Sequence, residues 1–234
     1  MTQRVALVLL PLEILLVAVL VGCLVVIGGQ LGAVVAQPSV ALAAPVGGDG
    51  PELQSHPLAP AAPAAAAAEL SPVFTPEVQH WAPKISAWAT QYGLDPALVA
   101  TVMQIESCGN PHAVSASGAQ GLFQVMPFHF GTGDDMQDPD TNAARGLAYL
   151  SLGLQRAGGN VGLALAGYNG GHSLIGLASS LWPAQSKRYW YWGTGIYADA
   201  TSGQVSSSRL QEWLAAGGAS LCSRAADQLA LTSN

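Results

Sequence analysis

The chain has 234 residues, enough for one domain of ordinary size with extensions and too few for three. Half of it is hydrophobic and only 9% is Asp, Glu, Lys or Arg, against about 25% in an average soluble domain. With 8 Lys+Arg, 14 Asp+Glu, a net charge of −6 and no basic run to follow a phosphate backbone, the composition excludes a highly charged disordered tail and argues against nucleic-acid binding. It suits an uncharged substrate or a membrane.

From Val5 to Ala36 the chain is Val, Leu, Ile, Ala and Gly with interruptions at Pro11, Glu13 and Gln30. That run exceeds both the roughly 20 residues that cross a bilayer and the roughly 7–15 of a secretory apolar core, so residues 1–36 read as a transmembrane or signal-anchor segment. Arg4 is the only cation before Lys84, which favours the amino end in the cytoplasm. Two alternatives stay open: Leu20-Val21-Gly22-Cys23 resembles a lipoprotein lipobox, and cleavage near Ala36 or Ala43 is the other. All three place the rest of the chain outside the cytoplasm. Residues 37–72, with 7 Pro and 11 Ala, cannot bury a core and read as a semi-rigid spacer.

All six Trp and all six Tyr fall between Trp81 and Trp213, which places the core in 73–234. Helical signals recur there without period-2 alternation, so the fold class is all-α. Pro76 opens a helix reaching Tyr92, stopped by Gly93. Asp95-Pro96 is an N-cap followed by Pro at the first helical position, starting a helix through Glu106. Asp138-Pro139 begins another that stops at Gly158-Gly159. Asn160 caps a helix over Val161 to Tyr168, ended by Gly170-Gly171. Short helices are expected near 183–192 and 208–216.

On the helix after Asp95, Val99, Val102 and Glu106 share one apolar stripe. A carboxyl on that face loses hydration, which favours its protonated form, as a general acid for glycosidic cleavage requires. A Glu pairing a buried cation or capping backbone groups would fit the periodicity equally well.

The following residues narrow the choice. Glu106-Ser107-Cys108-Gly109-Asn110-Pro111 leads to Ala113-Val114-Ser115 and then to Gly118-Ala119-Gln120-Gly121-Leu122-Phe123-Gln124-Val125-Met126-Pro127. Asn142, Gly146 and Tyr149-Leu150 follow, and then Ala166-Gly167-Tyr168-Asn169-Gly170-Gly171. This succession resembles the soluble lytic transglycosylase family, whose fold is like goose-type lysozyme. Phe123 stands where the family has Met, and Gly167 is inserted before the Tyr.

The resemblance implies a lyase that cuts the β-1,4 bond between N-acetylmuramic acid and N-acetylglucosamine in peptidoglycan. Glu106 would be the sole acid/base, and the muramyl C6 hydroxyl would close onto C1 to leave a 1,6-anhydro end. Gln124 would line the cleft or, alternatively, fix its turn. The Tyr168 hydroxyl would approach the Glu106 carboxyl. Asn169 would bind sugar or end its helix, and Phe123 and Met126 would form apolar wall. Ser107 and Ser115 read as structural. A hydrolase of the same fold and an inactive peptidoglycan-binding module are the alternatives.

Asp134, Asp135, Asp138 and Asp140 lie in a Gly-flanked loop and read as caps rather than a second catalytic carboxylate. Of Tyr189-Trp190-Tyr191-Trp192, at most two can face one cleft, because helix neighbours diverge. His112, His129 and His172 lack metal-ligand spacing, and neither metal nor cofactor is expected. Cys108 and Cys222 are the only thiols beyond the amino-terminal segment and are expected to pair outside the cytoplasm; a Cys nucleophile has no His/Asn partners in sequence. The expected partners are peptidoglycan glycan strands and, through the amino-terminal helix, a membrane of the cell envelope, with the catalytic domain a monomer.

Overall fold

The computed structural model describes residues 69–231. The segment 1–36, its Cys23 and the linker up to residue 68 lie outside the described residues. Among the described residues no helix is long and apolar enough to cross a membrane.

The described residues are helical, with two isolated β-bridges and no strand. The first expected helix is two: α1 (Pro76–Gln79) and α2 (Ala82–Tyr92). The break precedes Pro83, which lacks an N–H and would crowd the carbonyl four residues back in a continuous helix. Gly93, at φ 62°, ends α2 as the pattern predicts.

Helix α3 (Pro96–Glu106) starts where expected, the Asp95 carboxylate accepting from Ala97 N at 2.8 Å. Every residue from Leu98 to Gln104 is buried, as befits a helix with neighbours on all sides. The signals at Asp138 and Asn160 likewise give α4 (Pro139–Arg156) and α5 (Val161–Gly170), each capped by that side chain. α5 packs between α4 and α6 (Ala184–Thr201), while α2 and α6 cover α3.

α6 runs nine residues past the expected 192. Gly193 and Gly195 weaken helix propensity, but they sit where neighbouring elements close on the helix. A Cβ on Gly193 would lie 3.0 Å from Leu165, and one on Gly195 would lie 2.6 Å from Arg209. Packing outweighs propensity there.

The carboxyl-terminal part contains α7 (Ser208–Trp213), a π-turn over Leu214–Gly218, and α8 (Ala219–Gln228). The expected helix over 208–216 therefore ends early, and α8 was not anticipated. Gly217 turns the chain at φ 124°, and Gly218 lies against the Trp213 ring, where a side chain would collide. Two glycines that read as a helix stop instead fold α8 back toward α1.

Cys222 on α8 is bonded to Cys108 at the exit of α3, with a Cα–Cα distance of 5.0 Å across 114 residues of sequence. The expected bridge is present. Closing a loop of that length stabilises the fold by about 4–5 kcal/mol through the unfolded chain. Cys222→Ser should lower the unfolding free energy by about that amount in urea titrations, and reductant should add no further loss.

Candidate active site

The site is built around the end of α3. Helix geometry stops at Glu106, and Ser107 and the two residues after it turn the chain. The Ser107 hydroxyl donates to Leu122 O at 2.7 Å and accepts from Gly109 N at 3.1 Å, so this serine ties the α3 exit to the next loop. Cys108 and Gly109 both have left-handed backbone, at φ 53° and 84°. Gly109 packs so closely that a Cβ would come within 2.8 Å of Glu77 O. Gln104 accepts from Thr75 N at 3.1 Å and Trp81 Nε1 donates to Gly109 O at 2.9 Å, fixing the turn from the α1 side.

Glu106 keeps a partial opening to solvent, yet the protein around it removes enough water to lift its pKa from 4.5 to about 8. The nearby Tyr189 hydroxyl works in the opposite direction. Tyr189 is 4% exposed, and its buried hydroxyl has no hydrogen-bond partner of good geometry among the described residues. Burial, and then the Glu106 charge, push both Tyr189 and Tyr168 well above the ordinary phenol range.

The loop opposite is organised by Asn142, a fully buried side chain on α4. Its amide donates to Gln120 O at 2.8 Å and Met136 O at 2.9 Å, and its carbonyl accepts from Phe123 N at 2.9 Å. Gly121, at φ 72°, lies against that amide and leaves no room for a side chain. Gln124 is also left-handed, at φ 46°, and its amide nitrogen donates to Ala113 O and Gly121 O at 3.1 and 3.0 Å. Holding a non-glycine residue in that region stores strain, which the two bonds offset.

These elements enclose a pocket of about 180 Å³ in which Gln124, Met126, Tyr168 and Asn169 meet. Four of the residues expected in the site are thus brought together. Gln124 combines both readings offered for it: it lines the pocket, and its nitrogen holds the turn, leaving Oε1 unspent. Asn169 also does two things, since its Oδ1 accepts from Ser186 at 3.0 Å while it lines the pocket. Helix α5 continues to Gly170, so Asn169 does not end it.

One residue stands elsewhere than expected. Phe123 is fully buried, edge-on to Trp88 with ring centroids 5.9 Å apart; it presents no face to a ligand and packs the floor from within. The Tyr168 hydroxyl donates to Phe123 O at 2.7 Å, so its proton is committed there. Tyr189 is the neighbouring phenol that favours the Glu106 carboxylate, although its hydroxyl makes no hydrogen bond of good geometry. Its position had a signal in the sequence: Tyr189, Gly193, Ile196 and Ala200 form the buried stripe of α6. Asn142 carried no such signal, because the backbone groups it satisfies belong to a distant loop.

The acidic loop is spent locally. Asp134 pairs with Arg145 at 2.6 Å, Asp140 with Lys84 at 2.8 Å, and Asp138 caps α4. Ser115 accepts from Ala119 N at 3.0 Å, a structural role as expected. His129, Tyr149 and His172 form a ladder beside the pocket, with centroids 5.0 and 3.9 Å apart, and Arg156 donates to His172 Nδ1 at 3.1 Å. Glu77, Cys108 and Cys222 bring three ligand-type atoms within 4.8 Å of one another, but both sulfurs are consumed in the disulfide.

Glu106 does not line this pocket but acts on it through Tyr168; a carboxyl that holds its proton near neutrality, coupled to a pocket walled by amides, a phenol and a thioether, has the equipment of an acid–base site for a neutral polar substrate. Residues 83–190, which include Glu106, Gln124, Tyr168 and Tyr189, match the Transglycosylase SLT domain family. The chain is 41% identical over 113 residues to the transglycosylase of Enterobacteria phage PRD1, covering 47% of this chain and 40% of the phage protein. It is 33% identical over 100 residues to the endo-type membrane-bound lytic murein transglycosylase A of Klebsiella pneumoniae, covering 35% of this chain and 49% of that protein. Among solved structures, an inactive mutant of lytic transglycosylase Slt from Pseudomonas aeruginosa aligns at 24% identity and a TM-score of 0.43, over 52% of this chain and 24% of that one. The chain spans 40–49% of the length of these curated relatives.

Two outcomes test the site. Asn142→Ala leaves Phe123 N and Met136 O unpaired, Gln120 O keeping its bond from Val125 N, and should cost about 2 kcal/mol or more in denaturant unfolding. The folded chain holds the Glu106 proton up to about 8, whereas the unfolded chain releases it near 4.5. Between those values the parent therefore loses stability, as pH rises, relative to a chain without that carboxyl. Glu106→Gln should gain on the parent by a few kcal/mol between pH 5 and pH 8, with the gain levelling off above pH 8, as read from unfolding curves across pH.

Proposed function

We propose that the chain is a peptidoglycan lytic transglycosylase with a lysozyme-like domain, cutting the N-acetylmuramic acid–N-acetylglucosamine bond to leave 1,6-anhydro ends. The observation that carries this reading is Glu106, whose proton stays in place up to about pH 8 and whose charge acts on Tyr168, a lining residue of the pocket of about 180 Å³. The match of residues 83–190 to the Transglycosylase SLT domain family and the activities of the similar proteins support it.

Glu106 acts first as acid. It gives its proton to the bridging oxygen as the C1–oxygen bond breaks, with the substrate's acetamido group stabilising the cation at C1. The resulting carboxylate then takes the proton of the muramyl C6 hydroxyl, whose oxygen closes onto C1. Glu106 is restored to its starting state and no water is consumed. One carboxyl suffices because the nucleophile is part of the substrate, whereas most glycosidases need two carboxyls about 5–9.5 Å apart. The commitment of Asp134, Asp138 and Asp140 to other partners favours the single-acid scheme.

Tyr189 stabilises the carboxylate between the two proton transfers. Tyr168 holds the Phe123 carbonyl and with it the turn that presents Gln124. Gln124 Oε1 and the Asn169 amide nitrogen receive sugar hydroxyl or acetamido groups, and Met126 supplies apolar wall. No metal or cofactor enters the scheme. Residues 1–36 anchor the protein in the envelope membrane, 37–72 space the domain from it, and 73–234 act on the glycan as a monomer. The membrane-bound description of the Klebsiella relative supports that placement.

Mass spectrometry of peptidoglycan digested with the purified chain should find anhydro-muramyl ends; reducing ends instead would make the protein a hydrolase. Glu106→Gln should lower turnover by about 10²–10⁴-fold, the worth of a positioned acid, while retaining glycan binding. The rate should fall as pH rises through about 8. In Tyr189→Phe the fall should move to higher pH, because the hydroxyl that favours the carboxylate is gone.

A further inference from the structure

A larger depression, about 520 Å³, lies apart from the acid–base site and has no titratable residue in its lining. It opens at the amino end of α5, where Asn160 and Gly162 form one edge; Trp190 and Thr194 on α6 and Ser179 and Trp182 before it complete the wall. Gly162 and Asn169 are seven residues apart on α5, which puts the two pockets about 10 Å from each other along the helix axis at ~1.5 Å per residue.

Its two indoles have different duties. Trp182 is 5% exposed and donates to Leu174 O at 3.0 Å, which makes it a fixed floor. Trp190 meets it edge to face, with centroids 6.4 Å apart, and is left 41% exposed. Burying such a ring is worth more than almost any other side chain, so an indole held open on a rigid helix is a surface for something to cover. Gly162 makes the placement possible: a Cβ there would come 2.7 Å from Trp190 Nε1.

The polar groups around the indole are uncharged and partly unspent. Asn160 uses Oδ1 to cap Leu163 N at 3.0 Å, leaving its amide nitrogen, and Thr194 donates to Trp190 O at 2.7 Å, leaving acceptor capacity. No lining residue is charged, and Lys187, one turn before Trp190, is engaged with Ser180 O at 2.8 Å; a purely hydrocarbon ligand would strip water from these groups without replacing it. A pyranose has what the wall lacks: an apolar C–H face to lie on the indole and a rim of hydroxyl and acetamido groups for Asn160, Ser179 and Thr194.

We propose that this depression is a second saccharide-binding site, holding a hexosamine unit of a glycan strand away from the bond that is cut. The proposal rests on the reading of the chain as a peptidoglycan enzyme. A second hold on an insoluble polymer keeps the domain on the strand between cleavage events without entering the chemistry.

The test uses the full chain in detergent, carrying Glu106→Gln to prevent cleavage and labelled with fluorotryptophan. The Trp190 fluorine signal is identified by its loss in Trp190→Phe. Chitotetraose, a β-1,4 tetramer of N-acetylglucosamine, should shift that signal saturably. Trp190→Ala and Gly162→Ala should each weaken cosedimentation with purified peptidoglycan by about tenfold, equivalent to one lost aromatic contact. The second variant guards against misfolding, since Ala is the better helix former. In the active background both variants should retain parental turnover on short soluble strands. A Trp190 signal unmoved by millimolar chitotetraose, or unchanged cosedimentation in both variants, overturns the proposal. The glycan ends released by the parent test the underlying reading separately, because the Trp190 signal answers whether or not the protein cleaves.

Discussion

The structure depends on the dehydration of one carboxyl at the end of a helix buried on all sides. Two physical effects act on Glu106 with the same sign. Loss of water is the larger, and it penalises the carboxylate wherever the proton could go. The second is position: the last turn of α3 carries the negative end of the peptide dipoles, which also disfavours a negative charge there. Tyr189 opposes both, so the site is poised to hold the proton and still able to release it. A charged neighbour could not give that balance, because a cation would strip the proton outright and an anion would lock it in place.

Keeping a carboxyl in such a position requires the chain to turn away sharply on either side of the pocket. The turns are made by residues in left-handed conformation: Cys108 and Gly109 after α3, Gly121 and Gln124 in the facing loop. Cys108 and Gln124 are not glycines, and each is held where it is by more than its own backbone. Cys108 is bonded to α8, and Gln124 folds its amide back onto Ala113 and Gly121. Ser107 and Asn142 connect the two turns by hydrogen bonds to Leu122, Gln120 and Phe123. The pocket's shape is therefore set by buried side chain–backbone bonds, which are costly to leave unmade and so fix a single arrangement.

The parts legible in the sequence are those whose cause is local. Asp95, Asp138 and Asn160 cap helices through atoms two or three residues away, so their helices start where the sequence says. Glu106 on an apolar stripe is a statement about 3.6-residue periodicity, and burial follows from it. The obscured parts have distant causes. Whether Tyr168 or Tyr189 reaches Glu106 depends on how α5 and α6 lie against α3, and both phenols satisfy every local rule. Phe123 sits next to Gln124 in sequence, but the left-handed turn sends one inward and the other to the pocket. The glycines of α6 and of 217–218 read as helix breakers because the neighbour that needs the missing side chain is invisible in sequence.

Those glycines also explain the composition. On α5, Gly162 admits Trp190, Gly167 admits Ile175 and Gly170 admits Leu174 and Ser186, so one short helix is pressed by partners along its whole length. Close packing of small residues gains dispersion contacts without charge, and the three ion pairs among the described residues are partly exposed and worth little. A domain held this way can keep its grooves uncharged, and an uncharged groove discriminates by shape and hydrogen bonding alone. That condition suits a neutral, hydroxyl-rich polymer, and it leaves the proton held on Glu106 to act without an ion pair competing for it.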